Sequence, residues 1–455
     1  MKLTTVILAA GKGTRMRSAM PKILHKIANR SLLEHVYDMS RALDNNEIKI
    51  IYGHGGDQVL EKLKHLEAEW TEQKEQLGTG HAVQQVQSQI ADDAIVLILY
   101  GDVPLLKLNT VQKLLEGAKD SLSLLTVTLA NPSGYGRIVR NEHNKVIKIV
   151  EEKDADAAQK TINEVNTGIM ALRGGLLKSW LSRLENNNAQ KEYYLTDVIE
   201  MAVNDGFEIV TSQPATEDEV LGVNNRLQLA HLERVFQKEQ AEKLMTEGVT
   251  LADPARFEVR GHVEKLGIDI EIDINVILEG SISLGNNVKI GANSIIKNAI
   301  IHDDVEILPN CIIEDAEVGR GSRVGPFARL RPQALLADNV HIGNFVEIKK
   351  SKIATGSKVN HLSYIGDSLI GSHVNIGAGT ITCNYDGVNK FQTIIGDNAF
   401  IGSNSQLIAP VSIGNNATIG AGSTITKDTP DGQLTLARAK QISIASWQRP
   451  VKKEK

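Results

Sequence analysis

The chain of 455 residues has only two cysteines, Cys311 and Cys383, which form neither a CxxC pair nor a disulfide framework and so point to a reducing compartment. No apolar run approaches the roughly 20 residues that a membrane helix needs. The N-terminal TTVILAA is too short for a secretory signal and runs straight into glycines. Positive charge is not in excess: 50 basic against 55 acidic residues leave a net charge of −5, which argues against a polyanion-binding surface and hence against nucleic acid as the partner. These absences predict a soluble, cytoplasmic protein with no membrane and no nucleic-acid partner. The length predicts more than one domain, because single cores rarely grow beyond roughly 250 to 300 residues.

Two further absences mark the stretch LAAGKGTRM at residues 8–16. A P-loop needs a hydroxyl residue after its lysine, and Lys12 is followed by Gly13. A dinucleotide fingerprint starting at Gly11 and Gly13 meets Met16 where its third glycine belongs. What remains is either a phosphate cradle of another kind or an ordinary glycine-rich turn between strand and helix.

The chain changes character near residue 250. Before it, apolar runs such as TTVILAA, IKIIY, AIVLILY and SLLTVTLA alternate with helical patterns such as SLLEHVYDMSRAL, where Ser31 and Glu34 are spaced as a capping box. That alternation predicts a mostly parallel sheet with helices on both faces. The amphipathic segment from Asn225 to about Glu247 reads as a connecting helix. Beyond it the period becomes six: Ile395, Ile401, Leu407, Ile413, Ile419 and Ile425 recur in register, with Ala399, Ser405, Val411, Ala417 and Ser423 as small or compact residues in the same hexads. This is the hexapeptide repeat of a β-helix, whose exposed faces and ends predict oligomerisation. The segment TCNYDGVNKFQTI breaks the register between Thr382 and Ile395, and a loop thrown out of a regular coil is a usual seat of function.

LAAGKGTRM with Pro21-Lys22, then EQLGTGHA, YGDVPLL, GYGRIV, VEEKDA, EVNTGIM and GVNNR, followed by ARLRP, NFVEIKKS, HLSYIGD, NIGAGTITCNYDG and IGSNSQLIAP, occur in order along nearly the whole chain. This ordered set resembles the bacterial bifunctional N-acetylglucosamine-1-phosphate uridyltransferases that are also glucosamine-1-phosphate N-acetyltransferases. The resemblance implies an α/β Rossmann-like nucleotidyltransferase domain over 1–224, a helical linker over 225–249 and a left-handed parallel β-helix of hexapeptide repeats over 250–455. It implies UTP, acetyl-CoA, glucosamine 1-phosphate and N-acetylglucosamine 1-phosphate as substrates, Mg²⁺ as metal and a homotrimer.

For uridylyl transfer the resemblance implies Leu8, Ala9, Ala10, Gly11 and Gly13 as the triphosphate loop, with Arg15 and Lys22 as catalytic cations. Asp102, just past the apolar strand of LILYGDVP, would hold Mg²⁺ with Asn224, a hard cation calling for oxygen ligands. Tyr100 and Gly101 flank it. Gln73, Gly78 and Thr79 match uracil and ribose contacts, and Gly136, Glu151 and Asn166 match sugar contacts. For acetyl transfer an amine attacks only when neutral, and the matching general base is His361. Arg331, Lys349 and Lys390 would clamp the sugar phosphate, with Tyr364, Asn375, Asn384 and Tyr385 on the sugar. Ala378, Ser403, Ala421 and Arg438 match acetyl-CoA positions. One departure is Gln333 after Arg331-Pro332, where the pattern leads one to expect glycine; it bears on the turn that aims Arg331. Two other readings compete: a sugar-nucleotide pyrophosphorylase whose β-helix only oligomerises, and a non-catalytic assembly or exchange-factor subunit.

Overall fold

The computed structural model describes residues 2–44, 46–119 and 121–452. Contacts divide the chain into two compact units, Met1–Phe236 and Gln237–Lys455.

In the first unit the long sheet runs in the order Ile209–Ser212, Leu122–Thr128, Glu164–Arg173, Ile95–Tyr100, Leu3–Ala9, Asn46–Tyr52, Glu69–Glu72. All neighbours are parallel except Glu164–Arg173, which is antiparallel to both of its partners. The hairpin Arg137–Arg140 with Val146–Val150 branches from this path at the interior strand Glu164–Arg173, Arg137 pairing with Val165. The central strands read as unbroken aliphatic runs because both of their faces are buried. Alternation along each strand sorts the side chains into two cores: Ile7, Ile50, Leu97 and Leu99 on one face, Val6, Ile51, Val96 and Ile98 on the other. The helix Leu32–Arg41 starts on the expected capping box, with Ser31 Oγ accepting from the Glu34 N–H at 3.2 Å and Glu34 Oε2 accepting from the Ser31 N–H at 2.7 Å. The connecting helix spans Arg226–Thr246, and the division between the units falls within it.

The second unit is a parallel β-helix. Each coil gives one short strand to an 11-stranded sheet and two to a 16-stranded sheet, as in Arg323–Val324, Arg329–Leu330 and Leu335–Leu336. The hexad positions Ile395, Ile401, Leu407, Ile413, Ile419 and Ile425 are all buried and belong to one continuous core. Corners are tight, and many turn through a residue at positive φ; asparagine tolerates this conformation and also links coils, Asn275 Nδ2 donating to Asn293 Oδ1 at 2.9 Å. Gln333 sits at such a corner with φ 66°, in line with Asp315 and Lys350 on neighbouring coils, so the turn after Arg331 forms without glycine. The register break becomes a loop closed by the Tyr385–Lys390 bridge and pinned by Asp386 Oδ1, which accepts the N–H groups of Val388 and Asn389. Both cysteines are free.

Candidate functional sites

In the first unit the strands Leu3–Ala9 and Ile95–Tyr100 end side by side, and the Gly101 N–H donates to the Leu8 carbonyl at 2.9 Å. Their carboxyl ends open on a cavity of about 470 Å³ lined by Leu8, Ala9, Ala10, Gly11, Lys22, Gln73, Gly78, Thr79, Tyr100 and Asp102. Ten of the expected nucleotide-site residues thus face one space, where ligands of parallel α/β sheets bind. Lys12 lines it too, as do Gln76 and Glu192, which had not stood out in the sequence. Gly13 turns the loop at φ 59°, and a Cβ there would stand 2.7 Å from the Lys22 Cβ, so glycine is what lets Lys22 pack beneath the loop.

Lys22 forms a close ion pair with Asp102 and donates to Asn224 Oδ1 at 3.3 Å. Arg15 Nη2 donates to the same Asn224 oxygen at 2.9 Å. Asn224 is brought in from a distant part of the chain because the Val223 N–H pairs with the Asp102 carbonyl at 2.9 Å. Two cations, a carboxylate and an amide oxygen thus converge beside the glycine loop. Gln73 is almost fully buried, its Nε2 bonded to the Gly78 carbonyl and to His81 Nδ1 at 3.1 Å each.

The residues expected on the sugar side form a second group. The Asn166 N–H donates to the Gly136 carbonyl at 2.8 Å, and a Cβ on Gly136 would approach Glu151 Oε1 to 3.3 Å. Thr196 Oγ1 donates to Glu151 Oε1 at 3.0 Å. Burial pushes the Glu151 carboxyl up from its ordinary range, with Asp154 and Glu192 adding to the shift against the Thr196 bond. Asp197, in the same acidic neighbourhood, is pushed up to about 6, chiefly by burial and by Glu200. Tyr100 connects the groups: Thr79 bonds its phenol, and burial together with the Glu151 and Asp102 charges raises its pKa.

In the β-helix the expected residues fall into two sets. At the corner between the two faces of the 16-stranded sheet, Arg331 Nη1 donates to Glu347 Oε1 at 2.8 Å, and the Lys349 amine is depressed below its ordinary range mainly by Lys390 beside it. Two like charges held together next to an arginine are an arrangement that an anion relieves. Asn384, nearly buried, donates from Nδ2 to Asp367 Oδ2 at 2.5 Å, and Tyr364 lies in register with Glu347. Tyr385 is exposed on the excursion, its hydroxyl on the Gly387 carbonyl.

The second set lies at and beside the next corner. His361 ends the strand Lys358–His361 in the 11-stranded sheet, as Asn375 begins its neighbour. His361 Nδ1 lies 3.2 Å from Asn344 Oδ1, a partner in strand register that the sequence did not single out. With the Asn344 oxygen accepting, that bond assigns the proton to Nδ1 and leaves Nε2 with its lone pair. Ala378, Ser403, Ala421 and Arg438 stack along this edge: Asn404 N–H donates to the Ala378 carbonyl, Gly422 N–H to the Ser403 carbonyl, and Arg438 Nη1 to the Ala421 carbonyl at 2.7 Å. Among the described residues no hydrogen bond joins this set to the Arg331–Lys349–Lys390 set.

Residues 5–162 match the model of the MobA-like NTP transferase domain, residues 392–427 that of the bacterial transferase hexapeptide (six repeats), and residues 266–344 that of the GMPPB C-terminal domain. The chain is 60% identical over 456 residues to the bifunctional protein GlmU of Methylococcus capsulatus, covering 100% of this chain and 99% of that protein. It is 59% identical to the GlmU protein of Idiomarina loihiensis, covering 100% of both, and 56% identical to that of Marinobacter nauticus, covering 99% of both. The chain belongs to the bifunctional GlmU family. As a GlmU protein it makes UDP-N-acetylglucosamine by two transfers. It acetylates glucosamine 1-phosphate with acetyl-CoA and transfers UMP from UTP to N-acetylglucosamine 1-phosphate, releasing pyrophosphate. GlmU membership sets aside the pyrophosphorylase with an idle coil and the non-catalytic subunit.

Proposed function

We propose that the two transfers are divided between the sites by residue as follows, with 1–224 serving uridylyl transfer, 250–455 serving acetyl transfer and 225–249 joining them. The observation that carries this reading is the meeting of Lys22, Arg15, Asp102 and Asn224 at the glycine loop, matched in the β-helix by Lys349, Lys390 and Arg331. In the first site the backbone of Gly11 and Gly13 follows the triphosphate, while Arg15 and Lys22 neutralise charge on the departing pyrophosphate. Gln73, Gly78 and Thr79 hold the uridine, and Gly136, Glu151 and Asn166 orient the sugar so that its phosphate oxygen attacks the α-phosphorus.

Asp102 and Asn224 offer hard oxygen donors that fit Mg²⁺. Among the described residues no group of three or more His, Cys, Asp or Glu side chains could hold a metal ion, so such a cation would complete its shell with water and substrate oxygens. Held by these two residues, Mg²⁺ supplies neutralisation of triphosphate charge.

In the second site Arg331, Lys349 and Lys390 bind the phosphate of glucosamine 1-phosphate, and Tyr364, Asn375, Asn384 and Tyr385 its hydroxyls. The amine attacks the thioester carbonyl, His361 Nε2 takes its proton, the carbon–sulfur bond breaks and the thiol of CoA leaves. The Ala378 N–H faces the developing oxyanion, while Ser403, Ala421 and Arg438 hold the CoA. The phosphate-binding set and the His361 set lie on different edges of the coil, which a neighbouring copy would bring together; that the assembly is a homotrimer is what the family resemblance implies. Use of UTP and acetyl-CoA as co-substrates, together with two free cysteines, supports reading the enzyme as cytoplasmic.

The test is a paired assay of thiol and pyrophosphate release. His361→Ala should abolish thiol release from acetyl-CoA with glucosamine 1-phosphate and spare pyrophosphate release from UTP. Asp102→Ala should do the reverse. Loss of neither activity in His361→Ala would remove it as the base, and magnesium-dependent uridylyl transfer surviving in Asp102→Ala would remove it as a metal ligand.

A further inference from the structure

We infer that Arg137 and Glu152 form a positioning pair that sets the sugar-phosphate pocket of the uridylyltransferase site; the inference rests on the reading of Gly136, Glu151 and Asn166 as sugar contacts. Each member of the pair is the chain neighbour of one such contact: Arg137 follows Gly136, and Glu152 follows Glu151. They are brought together by the hairpin, in which Arg137 stands in register with Val150.

Arg137 is 2% exposed, among the largest fully buried side chains of the chain. Its Nη2 lies 2.7 Å from Glu152 Oε2, and its Nη1 donates to the Tyr135 carbonyl. The arrangement is costly. Arg137 Nε and Glu152 Oε2 are both buried without an aligned hydrogen-bond partner, although the two charges are close. A buried charge with an orphaned N–H is poorer for stability than an apolar side chain of the same length, so packing alone does not account for it.

What the pair does hold is the short loop before the strand. Arg137 and the N–H of Gly134 keep the Glu152 carboxyl below its usual range, so Glu152 stays charged against a loop whose Tyr135 carbonyl is already tied to Arg137. Gly136 is the next residue. Its carbonyl takes the Asn166 N–H, and its Cα faces the Glu151 carboxylate. Gly136, Asn166 and Glu151 are therefore all referenced to this one ion pair. Loss of it should move the sugar contacts together while leaving the glycine loop, Lys22 and Asp102 in place.

The experiment uses the full-length enzyme with steady-state kinetics for each substrate. Arg137→Met should raise KM for N-acetylglucosamine 1-phosphate about tenfold, as expected when contacts shift by a fraction of an ångström. KM for UTP and the acetyltransferase rate should stay within about twofold, the latter reporting that the chain is folded. Arg137→Lys should recover part of the effect by restoring charge without the fork. Glu152→Gln, nearly isosteric, should shift the same KM in the same direction, and it decides the matter should Arg137→Met fail to fold. An unchanged sugar-phosphate KM with a lowered melting temperature would make the pair structural only. An equal rise in KM for UTP would make it a general support of the fold; either result overturns the inference. Glu151→Ala and Asn166→Ala are measured alongside: if these leave the sugar-phosphate KM unchanged, the reading of the sugar contacts has failed rather than the role of Arg137.

Discussion

Lys22 shows how one residue can face two ways. Its ammonium pairs with Asp102 Oδ2 and reaches Asn224 Oδ1, the two oxygens proposed for the divalent cation. A divalent cation held by these two oxygens would take the place of the ammonium, leaving Lys22 free to face the phosphates of the nucleotide. Lys22→Ala should therefore bind Mn²⁺ more tightly without UTP, by roughly fivefold if the ion pair contributes about 1 kcal/mol, while losing uridylyl transfer. Isothermal calorimetry with Mn²⁺ and no nucleotide checks this, and unchanged or weaker binding would place the cation away from Asp102. The sequence showed the charges of this cluster but not their pairing. Arg15, Lys22 and Asp102 stood out because they flank a glycine loop and a strand end. The role of Val223 in carrying Asn224 to them depends on a backbone bond to Asp102 that no local pattern encodes. Asn344 and Thr196 escaped for the same reason: each contacts its partner across a coil or a loop, and an isolated Asn or Thr is ordinary in a turn.

At the scale of elements the repeat was the most legible feature, since a six-residue period leaves the same side chain in the same interior column in each coil. Ile376, Ile401 and Ile419 stand in direct register there and are buried. Ile401→Ala should cost about 2–5 kcal/mol, the range for deleting a large aliphatic group from a closed core. Because coils contact mainly their neighbours, the damage should stay within the β-helix. Differential scanning calorimetry with the paired assay tests this: acetyl transfer should fall on heating before uridylyl transfer, and a simultaneous loss would contradict it. Where the sequence and the element differ in clarity is at the corners. Gln333 looked like a defect in the turn that aims Arg331, yet the chain adopts positive φ at Asn298, Asp315, Lys350 and Asp367 as well. Coil-to-coil hydrogen bonds, such as Gln333 N–H to the Asp315 carbonyl at 2.9 Å, impose that conformation on whatever residue is present. In the first unit, strand type followed from aliphatic runs, while the reversal of Glu164–Arg173 between two otherwise parallel neighbours is a matter of connection and leaves no mark on composition.

For the whole molecule the outer face of the coil is as informative as its core. Ile300, Glu317, Leu335, Lys352, Leu369 and Ile394 follow one another in register along one face of the 16-stranded sheet. Four of the six are large aliphatics, and Ile300 is 46% and Ile394 43% exposed. By contrast, Glu271, Lys289, Glu306, Arg323, His341 and Lys358, in register along the 11-stranded sheet, form a polar stretch rich in charged side chains. A protein that left the first face in water would expose apolar area with no compensating contact, whereas a symmetric assembly can bury it. If the proposed trimer uses this face, Leu369→Glu should convert it to monomers, since a charge placed in each of three equivalent contacts has no partner. Light scattering on the eluting protein reads the mass. Acetyl transfer should be lost with the trimer, because the Arg331 and His361 sets are no longer joined across copies, while pyrophosphate release continues. A monomer that still acetylates glucosamine 1-phosphate would show that one coil completes the site alone, and a trimer that survives the substitution would move the interface to another face.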